Sequence, residues 1–540
     1  MTSLVVSRDK AYGRVIGTVP AVDPEDVPGI VRRAAAAQPA WAALGVKQRA
    51  AVLARARALL VERMDELTEI VARESGKTIV EALPMEVVPT IDTCRWLETH
   101  AERYLRPMDA GTPQRILLIG RRHSLRLDPY GVVGVISPWN YPLTIPAGSI
   151  LFSLIAGNAV AWKPSSNIPL ISEAFRDILV EAGVPQDVLP ILHGGPPVGE
   201  ALVVAPGVEK IFFTGSEAVG RRVMALAAAA PGHPRPVVLE LGGKDAMIVL
   251  WDADLHRAVG GAIWSGFGHA GQSCGAVRRI YVDARVADAF ESQLAERARR
   301  LVPGDPMDPS TQLGAIAHSS TRDTAIELVQ DAIDRGARVL AGGPEHIVAP
   351  DAEPEAVGHL RATVLTDIPD DARFWHEELF GPVIAVTRFT TEDEAVRLAD
   401  ASPFGLSASV WSRDIARAEA IAERLDVGAV LVNDHMSSAG ISQMGWAGRK
   451  ASGFGVTRSR FGLFECVQVK SIGVDPGLYD PVWWHPYDRR LADGFRAVTR
   501  FLYEDDAVAR GKAIASTGVG MRTLARRLGR SAGRSVRSRR

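Results

Sequence analysis

From Gly131 onward, short uncharged runs alternate with stretches of helical periodicity, and this alternation limits the possible folds more than any other feature. Residues 131–137, 159–162 and 210–213 read as buried strands, since they are short, apolar and bounded by turn residues. Residues 171–182 and 217–229 read as the helices between or after them. A second series begins near Gly243, with strands near 247–250, 279–282 and 383–386. Helices near 286–301 and 320–335 alternate with those strands. Before both series, residues 46–75 place Val52, Leu53, Leu59, Leu60, Met64, Leu67 and Ile70 at helical spacing. The pattern predicts an α/β fold of two domains, each an open, largely parallel sheet covered by helices.

A chain of 540 residues, 47% of them hydrophobic, can bury more than one core, so two or three domains are expected. A net charge of −1 gives no electrostatic reason for a polyanionic partner, and sequence-specific nucleic-acid binding is not expected. Three dispersed cysteines, Cys94, Cys274 and Cys466, argue against a disulfide framework or a metal site and suit a reducing, cytoplasmic setting. The first eight residues hold too short an apolar run for a signal peptide. No charged side chain lies between Asp128 and Lys163, a length that could span a membrane. Pro138, Pro142, Pro146, Gly157 and Asn158 interrupt it, however, so a strand, a turn and a buried helix explain it better.

Three motifs carry reactive groups. Cys274 sits in Gly271-Gln272-Ser273-Cys274-Gly275, a glycine-flanked turn after the helical run 255–266. A lone cysteine is more often a small buried hydrophobe, but a loop exposes the thiol and surrounds it with backbone N–H groups. Cys94 in a helical stretch and Cys466 in an apolar, strand-like run read as packing residues. Glu240 ends the run Val237-Val238-Leu239 and precedes Leu241-Gly242-Gly243-Lys244. Its plain reading is a solvated strand end; its functional reading is a base at the lip of a cleft, with glycines allowing close backbone approach. Asn140, in Trp139-Asn140-Tyr141-Pro142, is either a turn asparagine or an amide donor. A thiol, a carboxylate and an amide donor are what oxidation of an aldehyde through a thioester requires. Gly215 and Ser216, between a strand and a helix N-terminus, offer a phosphate site, although not the usual Gly-x-Gly-x-x-Gly fingerprint.

In order and spacing these motifs resemble the aldehyde dehydrogenase superfamily of the NAD(P)-dependent, non-acylating type, over about residues 19–472. The resemblance implies a Rossmann-like cofactor domain (residues 1–114 and 129–242), a catalytic domain (243–460) and a small β oligomerisation arm (115–128 with 461–475). Residues 476–540 remain as a C-terminal extension. It implies Cys274 as nucleophile, Glu240 as the base for the hydrolytic water, and Asn140 with the Cys274 N–H as oxyanion donors. Lys163 in Lys163-Pro164-Ser165 is implied at the adenosine ribose, Glu378 at the nicotinamide ribose, and Phe380 beside the nicotinamide, with Trp139 also at the cofactor. Tyr141, Ser273 and Gly275 are expected near the aldehyde, and a homodimer or homotetramer is expected.

Two departures stand out. NAD-preferring members commonly carry Glu three positions after the lysine, where this chain has Ser166. A serine does not repel a 2′-phosphate, so acceptance of NADP is expected, with preference between NAD and NADP open. Late in the catalytic region Gln443-Met444-Gly445-Trp446 replaces a common Pro-Phe-Gly-Gly, so Trp446 either reshapes the pocket or packs its loop. Val432-Asn433 resembles a strand end at the substrate mouth. No arginine within these motifs marks a carboxylate-bearing substrate, and the lining points to a medium-chain or aromatic aldehyde. Two other readings stand beside hydrolytic oxidation. A coenzyme A-acylating enzyme would need no water-activating Glu240, and a non-catalytic relative would lack one of the three reactive groups. Residues 521–540 hold eight arginines and no acid. That tail reads as a solubilising basic end, or else as a contact for an anionic membrane or polyanion.

Overall fold

The run Val132-Val133-Gly134-Val135-Ile136 has no polar face, so it must be covered on both sides. In the computed structural model, which describes residues 3–111, 120–477 and 481–516 together with 522 and 526, it lies inside a five-stranded sheet. The strand order there is Gly453–Phe454, Val237–Glu240, Val208–Thr214, Val132–Ile136, Ala159–Lys163. The last four run parallel, and Gly453–Phe454 joins antiparallel, pairing Gly453 with Glu240 and Phe454 with Leu239. The helices Thr144–Ala156, Pro169–Glu181 and Glu217–Ala228 fall where the sequence places helices. The long uncharged stretch is thus a strand, a turn, a buried helix and a second strand. Among the described residues no helix is long and apolar enough to cross a membrane.

The second series forms a seven-stranded sheet in the order Arg338–Ala341, Thr363–Thr366, Val383–Phe389, Val277–Asp283, Asp245–Val249, Ser407–Trp411, Ala429–Val432. Only Arg338–Ala341 runs antiparallel. Leu255–Phe267, Ala287–Arg299 and Ser319–Asp334 cover it, and Phe267, Phe290, Leu294 and Leu328 are buried in its core. The fold is therefore α/β, built on two open and largely parallel sheets. Both sheets lie in one compact unit, residues 1–105 with 129–468.

The second compact unit comprises residues 106–128 and 469–540. Its sheet has Arg122–Pro129 between Val467–Val474 and Met108–Asp109. Asp488 caps the helix Arg489–Tyr503, accepting from Leu491 N at 2.7 Å, and Leu491 and Val498 of that helix pack with Val482. The helix Ala507–Ser516 follows. Residues 115–119 of the expected arm, and all of the basic tail except 522 and 526, lie outside the described residues.

The helical reading of residues 46–75 holds as two helices, Gly45–Glu62 and Met64–Ser75, separated where the Arg63 backbone (φ −103°, ψ 18°) leaves the helical region. One local expectation is corrected. Cys466 is not in a strand. It closes the helix Ser459–Glu465, and its thiol donates to the Gly462 carbonyl at 3.3 Å.

Candidate active site

Glu240, the last residue of its strand, is not solvated. It is 5% exposed, and among the described residues neither carboxylate oxygen has a hydrogen-bond partner. Burial pushes its carboxyl well above the ordinary carboxylate range, against the pull of Arg458. Gly243 after it is sterically required, and Gly242 leaves space that the Glu378 carboxylate fills. A Cβ on Gly242 would lie 2.2 Å from Glu378 Oε1, and one on Gly243 would lie 2.2 Å from the Cys274 carbonyl oxygen. Their bareness presses the Glu240 strand end against the cysteine loop on one side and the Glu378 loop on the other. Glu378 Oε1 accepts the Gly243 N–H at 3.0 Å, and burial raises the Glu378 carboxyl to about 7.

Cys274 is half-buried on a rigid loop. Gln272 donates to the His269 and Ala315 carbonyls, each at 3.1 Å, and accepts from Ala317 N at 2.8 Å. Arg278, fully buried, donates to the carbonyls of Gly271 and Gly381, so one guanidinium joins the cysteine loop to the Phe380 loop. His269 and Ala270 adopt left-handed backbone (φ 53° and 50°) to make this turn. Burial, then the carboxyls of Asp245, Glu240 and Glu378, push the Cys274 thiol up, so the resting group is a thiol. The Cys274 N–H makes no hydrogen bond among the described residues.

Asn140 is buried and donates from Nδ2 to the Gln272 carbonyl at 3.2 Å, which leaves its second N–H free. Its own carbonyl accepts from Lys77 Nζ at 3.1 Å. Lys77 is fully buried, pairs with Glu86, and lies 4.0 Å from the centre of the Tyr141 ring. Glu86 in turn accepts from Leu143 N at 3.2 Å and Thr144 N at 2.9 Å.

Two cavities meet at Cys274. One, of about 450 Å³, is lined by Glu240, Tyr141, Ser273, Cys274 and Gly275, and also by Trp446, so Trp446 does shape this pocket. The other, of about 290 Å³, is lined by Trp139, Asn140, Gly215, Ser216, Cys274, Glu378 and Phe380. Trp139 and Phe380 meet edge to face there, 6.1 Å between ring centres. Lys163 and Ser166 line neither cavity. Lys163 ends its strand buried and without a partner for its ammonium among the described residues, and burial lowers it to about 8. Ser166 is half-buried in the turn that follows. Asn433 bonds Ser412 through both ends of its amide, and the first cavity is lined instead by Met436 and Ser437. Sequence reasoning missed Lys77, Glu86, Arg278 and Arg458. The first three lie outside the motifs it weighed, and Arg458 follows one of them by a few residues without matching it.

The family model described as "Aldehyde dehydrogenase family" matches residues 3–472. The chain is 38% identical over 471 residues to a succinate-semialdehyde dehydrogenase [NADP(+)] of Deinococcus radiodurans, covering 87% of this chain and 94% of that protein. It is 35% identical over 467 residues to a betaine aldehyde dehydrogenase of Sinorhizobium fredii, covering 86% of this chain and 93% of that one. Among solved structures, an NAD-dependent aldehyde dehydrogenase from Sinorhizobium meliloti superposes with a TM-score of 0.83 at 31% identity, covering 89% of this chain and 93% of that one. Sequence, fold and the meeting of two cavities at one cysteine agree: the chain belongs to the aldehyde dehydrogenase family.

Proposed function

We propose that this chain oxidises an aldehyde to its carboxylic acid through a thioester on Cys274, with NAD or NADP as hydride acceptor. The observation that carries the reading is the position of Cys274 between two cavities, one holding the unpaired Glu240 carboxyl and the other the Asn140 amide.

The residues present suit a nicotinamide dinucleotide. The helix Glu217–Ala228 starts at Ser216 with no side-chain cap, so its first N–H groups are available to phosphate. Lys163 is a buried cation lacking an acceptor, which a ribose or phosphate oxygen would supply. Trp139 and Phe380 form an aromatic corner beside Cys274. When bound, the dinucleotide supplies the hydride acceptor. Ser166 presents no carboxylate to a 2′-phosphate, which supports use of NADP.

The chemistry left to the chain is short. Cys274 gives its proton to solvent, and its Sγ bonds to the aldehyde carbon as the C=O π bond opens to an oxyanion. The free Asn140 N–H and the Cys274 N–H receive the oxyanion. After hydride loss the carbon is a thioester. Water adds to it as Glu240 takes the water's proton, the C–S bond breaks, and acid and thiol are released. Glu240 favours hydrolysis over transfer to coenzyme A, which needs no such base.

A panel of aliphatic, aromatic and acid-bearing aldehydes, each with NAD and with NADP, tests the reading by formation of reduced nicotinamide. Turnover is expected with both cofactors, with none in Cys274→Ala. Glu240→Gln is expected to retain one fast turnover per site and then slow by about 10²–10⁴-fold, the usual weight of a general base. Full steady-state rate in Glu240→Gln, or a requirement for coenzyme A, contradicts the assignment.

A further inference from the structure

Arg458 is 6% exposed, lines the cavity that holds Cys274 and Glu240, and has no side-chain hydrogen bond among the described residues. Its Nη1 is buried without a partner. An unpaired guanidinium inside a protein is costly, and the surroundings hold it there against further cost. Its backbone φ is positive (65°, with ψ 177°), as is that of Ser459 (φ 54°). That conformation is imposed from both sides. Thr457 and Trp446 exchange N–H to carbonyl bonds at 2.8 and 2.9 Å, and Ser459 N donates to the Ser442 carbonyl at 2.9 Å. Strain of this kind persists only where the neighbourhood over-determines it, and it gathers at binding sites. Gly148, on the facing helix Thr144–Ala156, packs against the Arg458 side chain, since a Cβ there would meet Arg458 Cγ and Nε in ordinary contact at 3.9 Å.

Three acids face this cation, and none occupies it. Glu86 is taken by Lys77 and two backbone N–H groups. Asp92 is exposed. Glu240 has both oxygens unbonded, and burial holds it toward its neutral form. Arg458, lowered by burial to about 10, stays charged at neutral pH. Most of the remaining lining is apolar, with Met85, Ile145, Trp264, Met436 and Trp446, and its polar members include Ser149, Thr214 and Ser437, which carry no charge. A single forked cation in a largely apolar pocket matches one monoanionic carboxylate on an apolar body.

We propose that Arg458 anchors a carboxylate carried by the substrate, so that this cavity selects oxo-acids with an apolar or aromatic spacer over neutral aldehydes. The inference rests on aldehyde oxidation as proposed above, and adds the substrate class and the residue that reads it.

The test compares 4-formylbenzoate with its methyl ester, which match in length and differ in charge. Wild type is expected to favour the acid in kcat/KM. In Arg458→Gln the acid-to-ester ratio should fall roughly 10- to 100-fold, the range for a hydrogen bond to a charged group, with the change carried by KM of the acid. Arg458→Lys, which keeps the charge but loses the fork, should lie between. Equal losses on acid and ester, with the ratio unchanged, would overturn the anchor and make Arg458 a partner of Glu240. A wild-type enzyme without preference for the acid overturns it too. A second readout does not depend on turnover: terephthalate should slow alkylation of Cys274 by iodoacetamide more than dimethyl terephthalate does, and Arg458→Gln should erase that difference. If wild type oxidises neither aldehyde, the proposed reaction fails, and the protection experiment alone decides the anchor. Selective protection supports it, and equal or absent protection overturns it.

Discussion

At the residue scale, the pH response of the site follows from what surrounds Glu240 and Cys274. Both groups act in their deprotonated forms, and both are pushed upward, chiefly by burial. Rising pH therefore populates the working forms, and it does so above the range where an ordinary carboxylate has finished titrating. The expected kcat profile climbs through neutrality into the alkaline range. A plateau beginning at about pH 5, where an unperturbed glutamate is already ionised, would contradict the raised carboxyl. The thiol of Cys274 and the glycines that follow Glu240 were legible in the sequence because each sits in a motif whose spacing encodes a turn. Arg458 was not legible. Its meaning comes from a cavity wall and from an unfilled hydrogen bond, neither of which a run of neighbouring letters records.

At the scale of elements, strands and helices around the site follow the reading closely wherever periodicity is strong. Val132–Ile136 falls on an uncharged run, and Ala159–Lys163, Val208–Thr214 and Val277–Asp283 contain the strands read at 159–162, 210–213 and 279–282. What escaped was punctuation that depends on tertiary contact. The break at Arg63 has no glycine or proline to announce it, and the edge strand Gly453–Phe454 is two residues long and is defined by its pairing to Glu240 and Leu239. The Asn140 turn depends on such a contact as well. The buried Lys77–Glu86 pair clamps it, with Lys77 on the Asn140 carbonyl and Glu86 on the N–H groups that open the next helix. Lys77→Met strands the Glu86 charge in the interior, and is expected to cost about 3–5 kcal/mol in unfolding free energy. It also frees the turn, and a misplacement near 1 Å costs about 10²-fold in kcat. Lys77→Met combined with Glu86→Gln removes the lone charge, so thermal unfolding should recover in part while kcat stays low. Recovery of both together would show that Lys77 serves only stability.

At the scale of the whole molecule, the question is what covers the strand Val467–Val474. Among the described residues it lies at the edge of its three-stranded sheet with one side unpaired, and Val469 and Val474 are 67% and 42% exposed. An eight-residue edge strand with exposed valines is a template for another chain unless something blocks it. Lys470 blunts it little, since its ammonium is drawn to Asp128 at 2.6 Å within the sheet. A second copy of this chain supplies a matching strand at no cost in new sequence, and a two-fold axis would bury the same valines twice. This supports the homodimer or homotetramer expected from the resemblance. Each fully buried valine contributes about 1.5–3 kcal/mol, and a charge in its place removes that and adds a desolvation cost in both copies. Val469→Glu is therefore expected to shift the mass measured by light scattering to a smaller species at micromolar concentration. The site lies in the other compact unit, so the variant's smaller species should still bind the dinucleotide. An unchanged mass in Val469→Glu would mean that this edge is not where the copies meet.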